Sequence, residues 1–135
     1  MAVPIKTLKG LSADLRSKLH DRAIHNTYQI LAACKTPAGR QELAKHIDVD
    51  PQIILKLANR ADLARVRGIG GVFSDLLEET GVDTVTELAT RNPDNLHNQL
   101  MAINAQKRLA GRVPSLDMVR SWVAQARDLP KLLEH

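Results

Sequence analysis

A chain of 135 residues, 44% apolar and 25% charged, has the size and balance of one globular domain or two very small ones, which excludes a disordered tail. Three aromatic residues (Trp122, Tyr28 and Phe73) are too few for a base-stacking platform, and the single cysteine, Cys34, excludes a disulfide framework and a four-thiolate metal site. The net charge of +4 admits a polyanionic partner without requiring one, and the excess is confined to residues 1–62, with ten Lys/Arg against six Asp/Glu.

In chain order, the first motif is Leu8-Lys9-Gly10-Leu11-Ser12-Ala13, a glycine turn ahead of a helix whose Leu15 and Leu19 form an i, i+4 apolar stripe. Leu43, Ala44, Ile47, Val49, Ile54 and Leu57 then fall at the spacing of two crossing helices with a turn at Asp48. Asp50-Pro51 opens the second of these, which would present Gln52, Lys56, Asn59 and Arg60 to a DNA groove. Any helical pair with a small residue at its crossing gives the same pattern. The next helix begins near Val72, after Val66-Arg67-Gly68-Ile69-Gly70-Gly71, and Gly81 ends it. Asp83-Thr84 caps a short helix over 84–90, Asn92-Pro93 opens another, and Pro114-Ser115 opens the last, with Trp122 as a core anchor. No stretch alternates with period two, so no sheet is expected.

The chain repeats itself. At an offset of 58, Leu8 to Ala13 lies over Val66 to Gly71, Leu15 over Phe73, Leu19 over Leu77, Ile24 over Val82 and Ile30 over Leu88. Later the offset grows to 66, with Ile53 over Val119 and Asp62-Leu63 over Asp128-Leu129, so the second copy carries roughly eight extra residues near Met101 to Arg112.

The glycine turn at 66–71 is the strongest motif. Its glycines allow positive backbone angles, Ile69 fills the gap between the helices, and the amides at the start of the next helix can cradle a phosphate. This resembles the helix-hairpin-helix motif, in which the hairpin grips the DNA backbone without reading bases and two copies commonly pack as a pseudo-twofold unit. On that resemblance Arg65, Arg67, Gly68, Gly70 and Gly71 form one nucleic-acid-binding hairpin. Lys9, Gly10 and Ser12 belong to a degenerate first one, with Ser12 in place of the second glycine. A competing reading uses the turn only to pack two helices or to dock a protein. It draws on the acids Asp75, Glu78 and Glu79, which would repel a phosphate backbone that they faced.

Over residues 5–129 the chain resembles a bacterial family named only as domain of unknown function 4332. The matching stretches include Arg40-Gln41-Glu42-Leu43-Ala44, Asn59-Arg60-Ala61-Asp62-Leu63, Leu77 to Ala89, Arg91-Asn92-Pro93 and Val113-Pro114-Ser115 through Trp122-Val123. The resemblance implies two related helix-hairpin-helix halves and no assigned activity.

The expectation is an all-α fold, one compact pseudo-symmetric helical domain of two related helix-hairpin-helix halves at 1–63 and 64–132. Leu133-Glu134-His135 is read as the remnant of a histidine tag. The expected function is non-catalytic: binding of duplex DNA or another nucleic acid by its backbone, or alternatively a protein-interaction or scaffold role. No cofactor is expected. No metal site is expected either, since His20 and His25 stand five apart and His46 and His97 lack partners at ligand spacing. Cys34 reads as a core residue and Glu78-Glu79 as a poor acid/base pair. Lys107, Arg108 and Arg112 form the densest basic cluster, either a solvated face or a phosphate patch. With no apolar run near the ~20 residues of a membrane span and no signal peptide, a cytoplasmic location is expected, with no membrane partner.

Overall fold

A computed structural model describes residues 3–8 and 10–135. Among them are a 3-10 turn (Ile5–Thr7) and eight α-helices: α1 Ala13–Asp21, α2 Thr27–Ala33, α3 Pro37–Ile47, α4 Pro51–Leu63, α5 Gly71–Glu79, α6 Val85–Ala89, α7 Pro93–Lys107 and α8 Leu116–Asp128. No strand occurs among the described residues, only an isolated antiparallel bridge between Pro4 and Asn26. The protein is all-helical. None of these helices is long and apolar enough to cross a membrane.

Short polar side chains start the helices where the sequence places them. Ser12, Thr36, Asp50, Thr84, Asn92 and Ser115 each accept a hydrogen bond from an amide of the first turn, and Asn26 forms a reciprocal capping box with Gln29. Proline opens α3, α4 and α7, where its missing N–H costs nothing. Two helices stop in the same way. Ala23 (φ 62°) follows α1 and Gly81 (φ 89°) follows α5, and Ile24 N donates to Leu19 O at 2.9 Å as Val82 N does to Leu77 O at 3.0 Å.

The chain divides into two units, one of Met1–Arg65 with Lys131–His135 and one of Val66–Pro130. In the first, α2 and α3 pack against α4, which buries Ile54, Leu57, Ala58, Ala61 and Leu63. Each fully buried leucine or isoleucine contributes about 1.5–3 kcal/mol. The last residues, set aside as a tag in the sequence, are part of this fold. Leu133 is 2% exposed in the same core, and Glu134 N donates to Lys35 O at 2.8 Å. In the second unit, α6 and α7 pack against α8, and Trp122 lies tilted on Phe73 with ring centroids 5.4 Å apart.

Within each unit the order of helices is the same, and one register differs from the expected one. α1 and α5 begin 58 residues apart, as do α2 and α6. α4 and α8 stand 65 apart, not 66: Ile54, Leu57, Ala58 and Ala61 match Val119, Trp122, Val123 and Ala126, all buried. Ile53, which the sequence paired with the buried Val119, is 45% exposed. The prolines caused the slip. Pro51 follows its cap Asp50, whereas Pro114 precedes its cap Ser115.

Candidate functional site

The turn from α4 to α5 is shaped by one glycine and one side chain from α8. Gly68 has φ +99°, and a Cβ there would lie 2.9 Å from Trp122 Nε1, so both conformation and space demand glycine. Gln125 of α8 brackets the neighbouring residue: Arg67 N donates to its Oε1 at 2.8 Å, and its Nε2 donates to Arg67 O at 3.2 Å. Ile69 is buried, and its amide donates to Val66 O at 3.3 Å. The turn is therefore preformed, with the Arg67 side chain left in solvent.

Gly70 is the N-cap of α5, in extended backbone at φ −99°, and brings no side chain to the first amides. A Cβ at Gly70 would meet nothing within 4 Å. Among the described residues every other α-helix has a side-chain cap. A helix start of this kind carries partial positive charge and unsatisfied donors. Gly71 is the first residue of α5, half-buried, and no acid occupies the first turn. Asp75 and Glu78 are half-buried further along, and Glu79 Oε2 is held by Lys107 Nζ at 2.6 Å.

Arg65 is placed differently from the expectation. It is 8% exposed, and its Nη2 and Nε donate to Asp62 Oδ1 at 2.8 and 3.1 Å. Arg65 is thus a buried partner of α4, unavailable to a phosphate in solvent. The charged flank of the turn narrows to Arg67. The counterpart turn ahead of α1 is also different. Gly10 has φ +79° with open space around it, but Ser12 Oγ accepts from Leu15 N at 3.1 Å and closes the helix start from within. Lys9 lies outside the described residues.

The model of the family described as domain of unknown function 4332 matches residues 9–129. The chain belongs to that family. No curated protein matches it, and no solved structure does. The stretch shared with domain of unknown function 4332 takes in both glycine turns and all eight helices.

Elsewhere in this member of domain of unknown function 4332, α3 and α4 meet as the spacing predicts. Asp48 holds the left-handed turn (φ 57°), Gln52 and Lys56 are exposed, and Asn59 and Arg60 are half-buried. Asp50, expected near a groove, caps α4 by accepting from Gln52 N at 2.9 Å. Asn59 Oδ1 is buried with no hydrogen-bond partner. His20 and His25, expected not to share a face, do come together: the turn after α1 sets their rings 4.5 Å apart at 86°. Still, no group of three or more metal-ligating side chains forms among the described residues. Cys34 is fully buried. Desolvation pushes its thiol up to about 11, against the opposing charge of Arg40, so it is protonated at neutral pH and a poor nucleophile.

Three residues that shape the site escaped the sequence reading. Gln125 left no local signal, because it reaches Arg67 across 58 positions. Asp62 with Arg65 was visible as an i, i+3 pair of opposite charge. Asn104 ties the loop after α7: Ala110 N donates to its Oδ1 at 2.9 Å, and its Nδ2 donates to Ala110 O at 3.0 Å.

Proposed function

We propose that this chain is a non-catalytic module of two related helix-hairpin-helix halves that binds the backbone of duplex DNA without strong sequence preference, through the turn ahead of α5. One observation carries the reading: the α5 start has a glycine cap with open space around it, beside the solvent-facing Arg67. Backbone donors, a helix dipole and an arginine suit a phosphate and contain nothing that reads a base edge. Gly68 and the Gln125 bracket hold this geometry in advance, so little ordering is needed on binding. The Ser12-capped turn has a satisfied start, so the second turn is the principal contact.

Fluorescence anisotropy with a labelled duplex of mixed sequence tests this. The binding constant falls steeply between 50 and 200 mM salt, and Arg67→Glu weakens it several-fold. Absence of binding at 50 mM salt, or binding indifferent to salt, overturns the reading.

A second reading, docking of a protein partner, is favoured by a different observation. Tyr28, Leu31, Ala32, Lys35 and Leu132 line a shallow, mostly apolar groove of about 250 Å³, with Tyr28 46% exposed. Sedimentation of the purified chain as a defined oligomer that Tyr28→Lys dissolves would support a second copy of the chain in this groove.

A further inference from the structure

We infer that the loop after α7, Arg108 to Ser115, is a second phosphate-contacting element that meets the same duplex as the α5 turn; this rests on the nucleic-acid reading above. The charges of the second unit, sorted by what they touch, point to it. Residues 66–130 hold seven Lys/Arg and eight Asp/Glu, so the unit has no basic excess to spread over its surface. Most of its cations are engaged. Arg91 pairs with Glu87 at 3.1 Å, Lys107 with Glu79 at 2.6 Å, and Arg120 with Asp94 at 3.3 Å, while Arg127 donates to the carbonyls of Ala89 and Arg91. The three that remain, Arg67, Arg108 and Arg112, are exposed and make no ion pair with the described residues. One is in the glycine turn and two are in this loop.

The loop is also built to hold its arginines in place. The Asn104 clamp on Ala110 closes it into a fixed bend, and Arg108 takes the left-handed region (φ 50°), a conformation that costs a non-glycine residue about 1–2 kcal/mol. The exposed Gly111 has nothing within 4 Å of where a Cβ would stand, which leaves room for a strand to approach. The first unit has no such element. There the corresponding connection is Asp48-Val49-Asp50, short and acidic, and the offset between the units grows from 58 to 65 across this stretch. The added residues thus replace two acids with two unpaired arginines.

Position agrees with the role. The Lys107–Glu79 pair fixes the end of α7 against the C-terminal end of α5, while the glycine turn lies at the other end of that nine-residue helix. Nine residues span about 13 Å. Phosphates recur every ~3.4 Å of axis along one strand, so the two elements would engage separate phosphates of one duplex.

The test compares the full chain, Arg108→Ala/Arg112→Ala and Gly70→Asp on a labelled 20-base-pair duplex of mixed sequence, with affinities measured from 50 to 200 mM salt. The double variant is expected to bind about tenfold more weakly at 50 mM, to lose close to two units from the salt slope, at ~0.9 per phosphate released, and to keep its melting temperature. Asn104→Ala, which frees the loop and keeps both arginines, is expected to weaken binding two- to threefold. If the full chain binds and Gly70→Asp impairs it while the double variant matches the full chain in affinity and slope, the loop inference is overturned and the glycine-turn reading stands. If the full chain does not bind the duplex at 50 mM salt, both fall together.

Discussion

The turns ahead of α1 and α5 start from the same backbone and end in opposite states. Each has a positive-φ glycine two residues before the helix cap, Gly10 in one and Gly68 in the other, and the two helices begin 58 residues apart. At the cap itself Ser12 supplies a hydroxyl where Gly70 supplies nothing. One side chain decides whether the helix start is satisfied from inside the fold or presents its donors outward. The glycines differ as well: Gly10 is open all round, whereas Gly68 is pressed against Trp122. A duplicated turn has one copy that only folds and one that both folds and can hold an anion.

That contrast can be broken most forcefully at the tight glycine. Gly68→Ala combines an unfavourable φ with a Cβ 2.9 Å from the Trp122 ring and is expected to cost about 2–3 kcal/mol, whereas Gly10→Ala carries only the φ penalty, about 1 kcal/mol. Equal losses for the two in chemical denaturation would show that the ring contact is unimportant. Exchanging the caps comes next. Gly70→Asp gives α5 the acceptor it lacks and is expected to gain about 1 kcal/mol while weakening duplex binding about tenfold, opposite signs that no general loss of structure produces. Ser12→Ala is expected to cost about 1 kcal/mol and leave duplex affinity unchanged, which calorimetry and anisotropy on one preparation would check. Smallest is the stability effect of Arg67→Ala, within about 0.5 kcal/mol, because its side chain faces solvent and its backbone hydrogen bonds to Gln125 survive the change.

Local chemistry made most of the helices legible. Asn92, Ser115 and Thr84 announced their helices as caps, and Gly81 announced an end, because capping is settled within four residues. The glycine turn was legible for the same reason. What the chain does with Arg65 depends on which way α4 faces: the arginine read as a solvent-facing contact turns inward to Asp62. The register of α8 was misread by one residue, because a proline was taken as marking the same position in both copies. Burial at Val119, Trp122, Val123 and Ala126 is set by packing on α6 and α7, which no local signal reveals. His20 and His25 were judged by helical spacing, but α1 ends between them and a left-handed Ala23 turns the chain back.

The return of Lys131–His135 to the first unit has a practical consequence for dissecting the protein. The first unit is discontinuous in sequence, so trimming the gene after residue 65 would delete a buried leucine from the very piece it was meant to isolate. A faithful excision instead joins position 65 to position 131 through a short flexible bridge, keeping Leu133 as the plug of its own hydrophobic interior.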